Sequence, residues 1–172
     1  MGGVSWVSHV GSIFIMACAV ISFAGVWWNI DDTEFIHIVG DDALDTQWAY
    51  GAMVSSAVAL AFSVLSVCLS FAADFGDTKE LFYATAVSHA GTAAAATAAF
   101  GMVVSHTWDL RDLFPNTHFG FSWGFAFEII TAGLAIIFIF ISAAAAHAES
   151  KPRRNSHLDK NQWHNDAPQN QA

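Results

Sequence analysis

Charged residues are nearly absent from the long apolar stretches of this chain. Asp, Glu, Lys and Arg make up 12% of the 172 residues, whereas 55% of the residues are hydrophobic. Three of the four apolar stretches contain none of these charged types, and the fourth contains Glu128 alone. The four stretches lie at residues 6–28, 48–73, 81–105 and 119–146. Runs this continuous exclude a membrane β-barrel, whose strands would alternate polar and apolar residues.

The length of the stretches indicates transmembrane helices. A helix rises about 1.5 Å per residue, so about 20 residues cross a hydrocarbon core of about 30 Å. We therefore predict an all-α membrane protein in which residues 1–147 form a four-helix transmembrane bundle, with a short or absent extracellular sheet in the first loop. The polar residues 148–172 are expected to be a disordered cytoplasmic tail. A multi-pass protein of the plasma membrane is the expected setting.

Positive charge is scarce and concentrated near the C-terminus. Of six Lys and Arg residues, four follow the last stretch: Lys151, Arg153, Arg154 and Lys160. The positive-inside rule places this tail in the cytoplasm, and four crossings then place both termini there. The loops at 28–47 and 107–118 are predicted to face outward. The net charge of −9 argues against a nucleic-acid partner.

The first outer loop contains acids and no Lys or Arg. Such a loop is interpreted either as a vestibule that attracts cations or a surface that binds a basic partner, or as a solvated loop with no further role. The spacing of an EF-hand calcium loop is missing. The acidic residues are Asp31, Asp32, Glu34, Asp41, Asp42 and Asp45.

Motifs that would indicate catalysis or metal binding are missing from the sequence. There is no H-E-x-x-H motif, no pair of intramembrane carboxylates and no Ser/His/Asp set with meaningful spacing. The two cysteines, Cys18 and Cys68, lie inside apolar stretches and cannot staple an exposed loop. We predict a protein that is not an enzyme and that has no catalytic residues, cofactor or metal site.

Small residues indicate where the helices pack. In lipid, helices associate by close packing, so small side chains mark the contact faces. The third stretch is rich in alanine, with Gly91 and Ala95 as a small-xxx-small pair. The second stretch has the same spacing at Gly51, Ser55 and Ala59. These patterns predict that the third helix is central and touches both of its neighbours.

Two ionisable side chains fall inside the predicted spans. Glu128 lies about 13 Å into the fourth span and His89 about 12 Å into the third, counted from opposite ends. Their depths then differ by about 5 Å in a core of about 30 Å, which allows a hydrogen bond between them. Gly124, one turn before Glu128, indicates a face packed on protein. The pair is interpreted either as a structural clasp or as a protonatable or cation-binding site.

Four short motifs resemble the PMP22/EMP/claudin superfamily of four-helix membrane proteins. They occur in that superfamily's order and spacing and cover about residues 47–146. The motifs are FSVLS at 62–66, FY at 82–83, HTWDL at 106–110 and FGFSW at 119–123. The resemblance implies a four-helix bundle with a non-enzymatic role.

The first outer loop departs from that superfamily's pattern. Members carry a Trp-rich motif followed by two disulfide-bonded cysteines on an extracellular sheet. Here Trp27, Trp28 and Asn29 match part of the Trp motif, but no cysteine follows and Ile30 stands where the first is expected. Junction strand formation, which uses that sheet, is therefore less strongly implied than lateral association.

Three functions are compatible with these features. The favoured one is lateral association with membrane lipids and other integral membrane proteins, namely a channel, a receptor or a further copy of the chain. The protein would act as an auxiliary subunit or structural organiser within a homo- or hetero-oligomer. The second is cell–cell adhesion or a cation-selective paracellular barrier. The third is an oligomeric channel or transporter that uses Glu128 and His89.

Overall fold

The described part of the chain forms four long helices and three short strands. The structure, a computed structural model, describes residues 3–31, 34–39, 46–76, 79–113 and 115–149. All four helices are long and apolar enough to cross a membrane, so the chain is a multi-pass membrane protein. In order, the elements are α1 (Gly3–Ala24), β1 (Val26–Ile30), β2 (Glu34–His37), α2 (Gln47–Gly76), α3 (Lys79–Leu113), β3 (Phe119–Phe121) and α4 (Trp123–Glu149).

A three-stranded antiparallel sheet covers one end of the bundle, which we call the sheet end. β1 is the central strand and pairs with β2 on one side and β3 on the other. Trp28 lies opposite Ile36 in one pairing and opposite Phe121 in the other. The sheet thus joins the α1–α2 connection to the α3–α4 connection.

The sheet corrects two predicted helix boundaries. The first helix ends at Ala24 rather than at residue 28, and Trp27 and Trp28 lie in β1. The fourth helix begins at Trp123, and residues 119–121 form β3. Aromatic residues are typical both of membrane helices and of buried strands. Hydropathy alone therefore could not separate Trp27, Trp28 and residues 119–121 from the neighbouring spans. At its other end α4 continues to Glu149, two residues into the predicted tail, and residues 150–172 lie outside the described part.

The helices form a ring in sequence order. α3 packs against α2 and α4, as predicted from its small residues, and α1 closes the ring by packing on the same two helices. α1 and α3 are therefore diagonally opposite, as are α2 and α4.

On each helix the residues that face the interior of the bundle recur at alternating spacings of three and four, and we call each such row a seam. This is the heptad spacing of coiled coils, but most positions are Ser, Thr or Ala rather than Leu. Such small residues let helix backbones approach closely. The seams, in which Phe138 is half-buried and all other residues are buried, are Ser5, Ser8, Ser12, Ile15, Ala19 and Ser22 on α1; Ala49, Ala52, Ser56, Ala59, Ser63, Ser66, Ser70 and Ala73 on α2; Phe82, Thr85, His89, Thr92, Ala96, Ala99 and Val103 on α3; and Glu128, Thr131, Ala135, Phe138, Ser142 and Ala145 on α4.

Most hydroxyls in the seams are satisfied within their own helix. Ser66 donates to the carbonyl of Phe62 at 3.0 Å, and Thr131 donates to that of Phe127 at 2.8 Å. Back-bonding of this kind removes the cost of burying a hydroxyl in an apolar medium. The seam hydroxyls that instead contact another helix lie around Glu128 and His89.

Candidate functional site: two polar levels inside the bundle

The sheet end is closed by a buried aromatic cluster. Trp27 and Trp28 are 0% and 1% exposed and pack with Phe125. The Trp27 indole N–H donates to the carbonyl of Ser22 at 2.8 Å, and that of Trp28 donates to the Thr107 hydroxyl at 3.0 Å. Both indoles thus have the partners that a buried Trp requires, and β1 is fixed to α1 and to α3.

Glu128 lies beneath this cluster and joins three helices. The hydroxyl of Ser22 on α1 lies 2.6 Å from Glu128 Oε2 and 2.9 Å from the carbonyl oxygen of Gly124. The hydroxyl of Ser56 on α2 donates to the same Oε2 at 3.3 Å. The Glu128 side chain is fully buried, and its Oε1 has no hydrogen-bond partner among the described residues. The Ser56 contact crosses the α2–α4 diagonal of the ring.

His89 forms a second polar level, nearer the chain termini. Its Nε2 lies 3.2 Å from the hydroxyl of Ser12 on α1, which donates to the carbonyl of Ser8 at 2.9 Å. The Ser8 hydroxyl lies 3.0 Å from that of Ser142 on α4. His89 is fully buried, and its Nδ1 has no hydrogen-bond partner in the described ranges. The His89–Ser12 contact crosses the α1–α3 diagonal.

The prediction that Glu128 and His89 could form a hydrogen bond is wrong. His89 contacts Ser12 instead, and Glu128 accepts from Ser22 and Ser56. Their partners on α1, Ser22 and Ser12, are ten residues apart, which corresponds to about 15 Å along the helix. The error follows from the span boundaries: α4 begins at Trp123, so Glu128 is about 8 Å from its start rather than 13 Å.

Apolar packing separates the two polar levels. Ala59, Ala96 and Ala132, from three different helices, form a buried cluster between them. Glu128 and His89 are therefore two separate polar contacts, not one site.

The predicted packing residues lie at helix contacts. A Cβ added to Gly124 would lie 2.9 Å from the carbonyl carbon of Gly25, because α4 and the start of β1 approach closely there. A Cβ added to Gly91 would lie 2.9 Å from the ring of Phe62 on α2. Ala95 packs beside the alanine cluster between the two polar levels.

The acidic loop is described only in part. Asp31 has a φ of 47°, a left-handed conformation that Asp tolerates better than most residues. Its N–H donates to the carbonyl of His118 at 3.0 Å, and its Oδ1 accepts from the His118 N–H at 2.9 Å. Asp31 therefore extends the β1–β3 pairing. Glu34 begins β2, and Asp32, Asp41, Asp42 and Asp45 lie outside the described residues.

Sequence reasoning missed the serines that hold the two ionisable groups. Ser12, Ser22 and Ser56 lie on the inward seams, at heptad spacing from their buried neighbours. A search for serine and alanine at alternating spacings of three and four would have selected them. Comparisons of the chain with protein-family models and with curated proteins found no match.

Proposed function

We propose that this multi-pass protein acts by lateral association in the membrane, as an auxiliary subunit or structural organiser of a larger complex. One observation carries the proposal, namely an exposed row of small residues on α3 that we call the α3 outer face. It consists of Ala90, Ala94, Thr97, Ala98 and Gly101.

The α3 outer face points away from the other three helices. A Cβ added to Gly101 would meet nothing within 4 Å. From Ala90 to Gly101 the face extends about 16 Å along the helix, which is about half of a hydrocarbon core. Small side chains on an outward face leave a shallow groove that a second transmembrane helix can enter.

The outward face of α4 is different. Large side chains dominate it, with Ile136 and Ile137 48% and 54% exposed and Phe140 71% exposed. Such side chains are suited to contact with lipid tails. The contrast between the two faces supports α3 as the surface on which another membrane protein, or a second copy of the chain, packs.

The channel alternative receives less support from the geometry. It uses Glu128 and His89, which occupy levels about 15 Å apart, with the Ala59, Ala96 and Ala132 cluster between them. Adhesion depends on the acidic loop, and four of the six acidic residues of that loop lie outside the described residues.

A matched pair of glycine substitutions tests the association. Gly101→Leu fills the groove of the α3 outer face, whereas Gly133→Leu enlarges the outward face of α4, where an added Cβ also meets nothing within 4 Å. We expect membrane-permeable cross-linking followed by affinity purification to recover neighbours with wild type and with Gly133→Leu. With Gly101→Leu most of these cross-linked neighbours should be lost, because the leucine side chain prevents a second helix from packing closely against α3.

The proposal fails if the wild-type chain cross-links to no neighbour in native membranes. It also fails if both leucine variants recover the same neighbours as wild type. Thermal unfolding of the purified variants in one detergent is the control, and both are expected to match wild type because both positions are open.

A further inference from the structure

A pocket lies at the sheet end, where α3 leads into β3. It has a volume of about 300 Å³ and is lined by Arg111, Pro115, Thr117, His118 and Phe119. Ligand pockets begin at about this size. Neither the two polar levels nor the α3 outer face includes any of these residues.

Arg111 supplies the charge of this pocket. Within the described ranges, Arg111 and Lys79 are the two Lys or Arg residues, and Lys79 lies at the opposite end of α3. Arg111 makes no ion pair with a described carboxylate. Its Nη2 donates to the carbonyl of Phe119 at 2.6 Å, and its guanidinium carbon lies 4.8 Å from the centre of the Trp108 ring. These two contacts fix the guanidinium group and leave most of its five N–H donors free.

Two other side chains around the pocket can also donate hydrogen bonds to an anion. The Thr117 hydroxyl and the His118 ring can donate hydrogen bonds beside the guanidinium group. Of the nearby carboxylates, that of Asp31 accepts from the backbone N–H of His118, which itself lines the pocket, and that of Asp109 contacts the His106 ring. Asp112 is exposed.

The position of the pocket indicates which anion it meets. Trp108 and Trp123, at this end of α3 and α4, are 58% and 49% exposed. Exposed Trp residues at the ends of transmembrane helices lie at the headgroup level of a bilayer. The phosphate group of a phospholipid lies at that level, and Arg is suited to phosphate because its planar donors match the oxygens.

We propose that the Arg111 pocket binds the phosphate group of a phospholipid. The guanidinium group donates to the phosphate oxygens, the Thr117 hydroxyl adds a further donor, and the acyl chains extend along the helices. This binding does not depend on lateral association, because it requires a single copy of the chain.

Native mass spectrometry of the full chain in mild detergent tests the proposal. Titration with a phosphatidylcholine should give a bound species, and a diacylglycerol with the same acyl chains should bind more weakly because it has no phosphate. We expect Arg111→Gln to reduce phosphatidylcholine binding about tenfold, which is the effect of losing one good charge-assisted hydrogen bond. Diacylglycerol binding should be unchanged.

Two further variants keep the test decisive. Lys79→Gln removes a positive charge from the other end of α3 and should bind phosphatidylcholine as wild type does. Thr117→Val leaves the contact between Arg111 and Phe119 in place and should bind less phosphatidylcholine with an unchanged melting temperature. The second result supports the proposal even if Arg111→Gln fails to fold.

Three outcomes would overturn the proposal. The first is equal binding of phosphatidylcholine and diacylglycerol to the wild-type chain. The second is equal binding to the wild-type, Arg111→Gln and Thr117→Val chains. The third is saturation of the pocket by inorganic phosphate with no preference for phospholipid, which would assign the site to a free anion instead.

Discussion

Gly124→Ala is expected to destabilise the bundle by about 1–3 kcal/mol, the range measured when well-packed interiors are overfilled. The added Cβ would lie 2.6 Å from the carbonyl oxygen of Val26 and 2.9 Å from the carbonyl carbon of Gly25. Both are backbone atoms, so no side chain can rotate away. For a net loss of stability, the free-energy cost of the clash has to exceed the stabilisation of about 1 kcal/mol that alanine normally gives over glycine in a helix interior. Thermal unfolding in detergent measures the result.

Gly133→Ala is the matched control for this clash. It lies on the same helix, and an added Cβ there meets nothing within 4 Å. Its stability should equal or slightly exceed that of wild type. If Gly124→Ala unfolds at the same temperature as Gly133→Ala, the close approach of α4 to β1 is not what holds the sheet end together.

Gly91→Ala should fall between these two variants. Its Cβ would lie 2.9 Å from the Phe62 ring, which is a side chain and can shift. The order of stabilities therefore tests whether backbone contact or side-chain contact limits each glycine.

The four helices could be predicted from the sequence because lipid imposes one strong rule. A spanning segment must satisfy its backbone hydrogen bonds internally, so a long apolar run has to be helical. The sheet could not be predicted in the same way. β1 pairs with β3, about 90 residues further along the chain, and Trp27 and Trp28 are as typical of a membrane helix as of a buried strand.

The missed strand β3 also led to a wrong predicted depth for Glu128. Counting residues 119–121 as part of the fourth helix placed Glu128 too deep and brought it to within about 5 Å of the level of His89. A boundary error of a few residues shifts a side chain by about 1.5 Å per residue along the axis, which is enough to choose the wrong partner.

The packing face of α2 was also only partly predictable. A search at a constant spacing of four residues selects Gly51, Ser55 and Ala59, whereas the structure buries Ala52, Ser56 and Ala59. The buried residues alternate spacings of three and four, so a row at constant spacing drifts off the inward face. The heptad pattern of serine and alanine was present in the sequence and is the more specific signal.

Glu128→Ala is expected to destabilise the bundle by about 1–3 kcal/mol, the cost of leaving buried hydrogen-bonding groups without a partner. The Ser56 hydroxyl loses its acceptor, and the Ser22 hydroxyl keeps only the carbonyl of Gly124. Glu128→Gln should restore most of the stability, because its amide oxygen can accept from both serines. Thermal unfolding in one detergent compares the three chains.

A double-mutant cycle separates these hydrogen bonds from the cavity that Glu128→Ala creates. Ser22→Ala should destabilise the wild-type chain but have a smaller effect in the Glu128→Ala background, with a coupling energy of about 0.5–3 kcal/mol for groups in one network. A coupling energy near zero would assign the cost to lost packing volume. If Glu128→Gln is as unstable as Glu128→Ala, the three helices need the carboxyl group itself and not simply an acceptor, and Glu128 is then more than a structural clasp.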